Sequence, residues 1–195
     1  MHIEEKHMNG AGLLRITIHM VSSLDGYIAK RDNSVSWLET TDHYEKGVNV
    51  TGQDATEFLK TIDCYIMGSR TYEHALELSK FYGWAYGEVP VIVLTHRKLP
   101  VDRQNIETYS GDLNKLVNER LKPIYKNVWL TGGTKLTKNF IRLGLAHEIR
   151  QSVLPIILGG GIPFFDQIGQ EQTLPLKDVT AYKSGMVELC YEIRK

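Results

Sequence analysis

From Leu14 to the C-terminus, short β-branched runs and stretches of helical period take turns, and this alternation constrains the fold more than any single motif. LRITIHMV (14–21) has the pattern of a buried strand and is closed by the turn signal SSLDG. After an irregular stretch through Trp37, TGQDATEFLKTI places Ala55, Phe58, Leu59 and Ile62 at i, i+3, i+4 and i+7, with Thr51 and Asp54 as a capping pair, which predicts a helix. DCYIM (63–67) reads as a strand, and Gly68-Ser69 pass into a second helix with Tyr72, Ala75, Leu76 and Ser79 on one face. VPVIVLT (89–95) and a short run near Gln104–Tyr109 are further strands, followed by a helix from Asp112 to Leu121 that Pro123 ends. KNVWLT (126–131) then leads through Gly132-Gly133 into a helix carrying Leu136, Phe140 and Leu143. From His147 onward three extended runs follow without helical period, the last two turning at Ser184-Gly185. The expectation is an α/β fold with about eight strands, mostly parallel, about four helices and an antiparallel C-terminal hairpin.

Charge and cysteine content remove whole classes of function. With 23 Lys+Arg against 23 Asp+Glu the chain has no cationic excess for neutralising nucleic-acid phosphates, and no charged tail. Its longest apolar runs, VPVIVL and VLPIIL, fall short of the roughly 18–20 residues that cross a bilayer. Cys64 and Cys190 lie in apolar strand-like runs and read as buried free thiols of a cytoplasmic protein. The opening MHIEEKHMNGAG carries Glu4 and Glu5 and no apolar core, so it reads as a floppy leader before one domain over 13–195. The seven histidines show no metal-ligand spacing, and no G-x-S-x-G nucleophile elbow occurs, so no metal centre is expected.

Three strand ends carry the chemistry: MGSRTYE (67–73), LTHR (94–97) and LTGGTKL (130–136). In open α/β sheets ligands bind beyond the carboxyl ends of parallel strands, where helix N-termini present free N–H groups to anions. Gly132-Gly133 lets a pyrophosphate approach the backbone, or is plain turn chemistry. Arg70 and Thr71 either hold a phosphate or stand at a capped helix start, and Thr95, His96 and Arg97 either bind an anion or form a solvated loop.

The order SSLDGYIA (22–29), Ser36-Trp37-Leu38, IMGSRTYE (66–73), VIVLTHR (91–97), VWLTGGTKL (128–136) and LPIILGGGIPFF (154–165) resembles the dihydrofolate reductase superfamily. It is most similar to the reductase domain of bifunctional riboflavin-biosynthesis enzymes, over about 180 residues from Leu14. The resemblance implies a three-layer dihydrofolate reductase-like fold that uses NADPH to reduce a small nitrogen heterocycle, either pterin-like or resembling 5-amino-6-(5-phosphoribosylamino)uracil. Carried over by motif, Gly68, Ser69, Arg70 and Thr71 hold adenosine-side phosphates, Thr95, His96 and Arg97 meet the 2′-phosphate, and Thr131, Gly132, Gly133, Thr134 and Lys135 cradle the pyrophosphate. It also implies a cis peptide between Gly132 and Gly133, a nicotinamide site beside Val21–Leu24, Ser23 as a substrate-binding residue, and a mobile lid over Asp25–Trp37.

Two carboxylates compete as proton source, Asp25 of the SLDG motif and Asp54, one helical turn before Phe58; each has a plain reading as a turn former or a helix cap. Phe58 and Trp37 are the aromatic candidates for a flat substrate, Trp37 equally a core filler. Thr131 stands where riboflavin-branch enzymes carry a glutamate, and neither H-x-E nor P-C-x-x-C of a deaminase domain occurs. The competing expectation is a nucleotide-binding module on the same fold without turnover. A homodimer is expected by analogy with relatives.

Overall fold

The computed structural model describes residues 13–39 and 42–194; the leader over 1–12 lies outside them. The alternation produces an eight-stranded sheet. Its strands are β1 (Arg15–Ser23), β3 (Cys64–Gly68), β4 (Val91–Leu94), β5 (Ile106–Tyr109), β6 (Asn127–Leu130), β7 (Glu148–Leu154), β9 (Leu176–Ala181) and β10 (Val187–Glu192), in the order β5-β4-β3-β6-β1-β7-β10-β9. Every pairing from β5 to β7 is parallel, and β10 runs antiparallel to both β7 and β9. The turn at Ser184-Gly185 forms as expected, with Gly185 at φ 78° and its N–H bonded to the Tyr182 carbonyl.

The two faces follow from the period of two along each strand. On β1, Ile16, Ile18 and Met20 point into one core with Leu116, Val117 and Leu121 and with Leu136, Phe140 and Ile141 of α4 (Thr134–Arg142). On the opposite face Tyr65, Met67, Val91 and Val93 pack with Tyr72 and Leu76 of α2 (Ser69–Tyr82). Helix, sheet, helix gives the three layers expected. Helix α1 (Gly52–Leu59) stands apart: it forms where the sequence places it, yet its apolar stripe stays out of the core, with Phe58 37% and Leu59 41% exposed. Cys64 and Cys190 are both buried and free, and burial pushes the Cys64 thiol up to about 12.

Two departures have local causes. The segment expected to be irregular contains β2 (Tyr27–Ala29), paired antiparallel with β8 (Ile162–Pro163) of the GGGIPFF run, two strands too short to show a period. Gly161 is required there, because a Cβ would strike the Ala29 carbonyl oxygen across the pairing. The helix from Asp112 is α-helical only over Leu113–Lys115 (α3) and then widens into a π turn over Leu116–Leu121. No helix among the described residues is long and apolar enough to cross a membrane.

Candidate active site

Because β4, β3, β6 and β1 are consecutive and parallel, their carboxyl ends fall on one edge of the sheet, about 4.8 Å apart. The backbone joins them: the Gly68 N–H donates to the Gly132 carbonyl at 3.2 Å, and the Thr131 N–H to the Ile66 carbonyl at 2.9 Å. The three motifs that the sequence singled out are therefore side by side.

What makes this edge receptive is the state of the helix ends above it. Gly68 is the N-cap of α2 and Gly133 the N-cap of α4, and neither helix has a side-chain cap. Their first-turn N–H groups, which no carbonyl of the same helix can reach, face the edge together with the positive ends of two helix dipoles. A Cβ built on Gly68 meets only the Gly132 carbonyl oxygen at 3.9 Å, and one on Gly133 only Thr71 Oγ1 at 3.8 Å, so the space above both is open. Gly132 is fixed by geometry: its φ is 122°, and a Cβ would stand 2.7 Å from the Met20 sulfur beneath it. The peptide bond between Gly132 and Gly133 is trans, against the expected cis form; the turn is made by positive φ at both glycines, 122° and 41°.

The side chains of the edge divide into free and engaged groups. Arg70, His96 and Lys135 are exposed. Arg97 is exposed too, its guanidinium 2.9 Å from Glu73 Oε2 on α2, while its N–H donates to Thr95 Oγ1. Thr134 Oγ1 donates to the Pro163 carbonyl at 2.6 Å, tying the start of α4 to β8. Thr131 Oγ1 donates to the Ile66 carbonyl at 3.4 Å. Ser69 and Thr71 are half-buried at the first turn of α2. Glu73, which was not among the expected site residues, stands in the same MGSRTYE run and neutralises Arg97; a carboxylate one turn from Arg70 was the available signal.

On the substrate side Asp25 is fully engaged. Its carboxylate accepts from Ser23 Oγ at 2.6 Å and from the N–H groups of Leu158 and Gly159 at 3.0 and 2.8 Å. The Ser23 hydroxyl, followed by the two backbone donors, holds the carboxyl below the ordinary aspartate range. Three donors thereby fasten the turn after β1 to the glycine loop at Leu158-Gly159. The Ser23 hydroxyl is engaged on both sides, since it also accepts from the Tyr27 N–H. Trp37 is buried, 4% exposed, so of its two readings the structure takes the core one. Phe58 lies edge-on to Trp129, ring centres 5.5 Å apart. Asp54 belongs to α1, with its side chain outside the described residues.

Comparison with known proteins agrees with this architecture. Residues 15–188 match the family model of the RibD C-terminal domain. The "Uncharacterized protein YwjB" of Bacillus subtilis is 31% identical over 178 residues, covering 91% of this chain and 97% of that protein. Among solved structures, a "Putative riboflavin biosynthesis protein" from Shewanella sp. PV-4 shares the fold with a TM-score of 0.77 at 21% identity, over 93% of this chain and all of that one. The diaminohydroxyphosphoribosylaminopyrimidine deaminase/5-amino-6-(5-phosphoribosylamino)uracil reductase of Thermotoga maritima shares it with a TM-score of 0.65 at 14% identity, over 93% of this chain and 57% of that chain. With a match spanning nearly its whole length, a sheet of the expected topology and its three glycine-bearing or cationic strand ends on one edge, the chain belongs to the RibD C-terminal domain family.

Proposed function

We propose that the protein is an NADPH-dependent reductase that delivers hydride to a small nitrogen heterocycle. The single observation that carries this reading is the pair of uncapped helix ends, α2 and α4, opening beside Arg70, His96, Arg97 and Lys135 on one sheet edge. NADPH supplies the hydride when bound. The N–H groups of Gly133, Thr134 and Lys135 suit its pyrophosphate, and those of Ser69, Arg70 and Thr71 suit a second phosphate. Arg97 and His96 suit a 2′-phosphate, which favours cations where a 2′-hydroxyl favours a carboxylate. The β2–β8 clasp, held by Asp25 and Thr134, supports a lid that is rooted to the glycine loop and keeps water from the reacting carbon. With Asp25 held ionised, Asp54 or a water molecule is left as the proton source, and Asp54→Asn separates them: a fall in kcat assigns the side chain, an unchanged kcat assigns water.

The direct test is titration of the protein with NADPH and NADH, followed by nucleotide fluorescence and by melting temperature. Saturable binding with NADPH tighter than NADH supports the reading. Absence of any response at millimolar NADPH overturns it. Binding without reduction of any pterin or aminopyrimidine would leave a nucleotide-binding module on the same fold.

A further inference from the structure

The sheet face beneath α1 holds a polar cluster that the cofactor edge does not use. His19, Arg150 and Cys190 pair in register across β1, β7 and β10, with Ser152 and Glu188 one repeat further along the same face. His19 is two residues before Val21, hence about 7 Å from it on the same face and close to the carboxyl edge. The distances determine which way each proton points. Ser152 Oγ lies 3.2 Å from Glu188 Oε2 and 3.0 Å from His19 Nε2, and Glu188 Oε1 is held by Arg150 Nη1 at 2.6 Å. Glu188 accepts only, so the one hydroxyl proton of Ser152 goes to it, and Ser152 must accept from His19. Nε2 therefore carries the hydrogen, in keeping with its position 3.6 Å from the same carboxylate.

That leaves Nδ1 as a bare acceptor, buried and with no hydrogen-bond partner among the described residues. Burial, with Arg150 adding to it, holds the imidazole pKa down to about 3, so the ring is neutral at working pH. A buried acceptor without a partner is costly and calls for an explanation. Its surroundings fit a flat ligand: the Trp129 indole lies 4.5 Å from the imidazole, and Phe58 of α1 stands against Trp129 with Arg150 5.3 Å over its ring. The helix above, α1, keeps an apolar stripe exposed beside this face.

We propose that His19 Nδ1 is the substrate-selecting acceptor of this enzyme, taking a hydrogen bond from an N–H or amino group of a planar heterocycle that slides between α1 and the sheet. Ser152, Glu188 and Arg150 are positioning residues that fix the tautomer. The inference rests on the reductase reading for the identity of its ligand class, and its test is separable from that reading.

The probes are 5,6-diaminouracil, which offers N–H donors, and 1,3-dimethyluracil, which offers none, each titrated into protein saturated with NADPH. The native protein binds the first at least about tenfold more tightly, the increment of one hydrogen bond to a buried group. His19→Leu brings the ratio close to one, while His19→Asn, whose side-chain oxygen takes the place of Nδ1, keeps it. ¹⁵N spectra of the imidazole report the same event directly: Nδ1 shifts on adding 5,6-diaminouracil and Nε2 does not. Glu188→Gln gives the sharpest check on the relay. Arg150 holds the amide oxygen, so the NH₂ group faces Ser152, the serine proton turns to His19 Nε2 and the tautomer reverses, with loss of the preference. An unshifted Nδ1, a preference that survives His19→Leu, or an unchanged tautomer in Glu188→Gln overturns the proposal. NADPH binding measured in the same samples reports on the reductase reading independently.

Discussion

Among the described residues three helices start beyond the carboxyl ends of strands, and they treat their free N–H groups in two ways. At α3 the Asp112 carboxylate accepts from the Lys115 N–H at 2.9 Å, so the helix end is closed by its own chain. At α2 and α4 the N-cap is glycine and no side chain closes the end. The closed end follows β5 on the outer border of the sheet, and the open ones follow β3 and β6 at its centre. With glycine at the N-cap, an end without a capping side chain gives up about a few tenths of a kcal/mol. The difference therefore marks where the fold leaves a binding opportunity for an anion.

Breaking that contrast has its largest effect at Gly132. Gly132→Ala forces a side chain into φ 122° and against the Met20 sulfur. The expected loss is on the order of 2–4 kcal/mol of stability together with NADPH binding, read by denaturant unfolding and by nucleotide titration. Next comes Arg97→Ala, expected to weaken NADPH about tenfold and NADH much less, since only a 2′-phosphate needs the cation. Glu73→Gln, which releases Arg97 from its ion pair, moves NADPH affinity the opposite way. Equal loss for both nucleotides in Arg97→Ala would place that side chain elsewhere. Asp112→Ala sharpens the comparison from the closed side: it costs about 1 kcal/mol of stability and leaves NADPH affinity unchanged.

The smallest expected effect concerns pH. Asp25 has its folded pKa below the ordinary value of about 3.8, so its contribution to stability is complete above that value and is lost as pH falls through the lower folded one. Asp25→Asn removes that acid limb and loosens the clasp between the turn after β1 and Leu158-Gly159. Unfolding curves between pH 5 and 2 check this, and an unaltered acid limb would contradict it.

How much of this was legible beforehand depended on the distance over which the information is carried. Glycines before a helical period, a strand of alternating Ile16, Ile18 and Met20, and Gly185 in a hairpin turn are local signals, and all appear where the sequence places them. The sequence placed each of the three motifs at a strand end, and the strand order in the structure brings those ends to one edge. Asp25 could not be assigned from its own surroundings, because two of the three donors that hold its carboxylate come from Leu158 and Gly159, more than 130 positions away. The His19–Ser152–Glu188 relay joins three strands in the same manner. The β2–β8 pairing escaped for a different reason: three and two residues carry no period to read.

The central claim is that the open ends of α2 and α4 bind the phosphates of NADPH. Amide hydrogen exchange of the first-turn N–H groups of both helices, with and without saturating NADPH, tests it most directly, with the first turn of α3 as internal reference. The account predicts slowed exchange at Ser69–Thr71 and Gly133–Lys135 and none at α3. Unchanged exchange at both open ends, or equal slowing at α3, would contradict it.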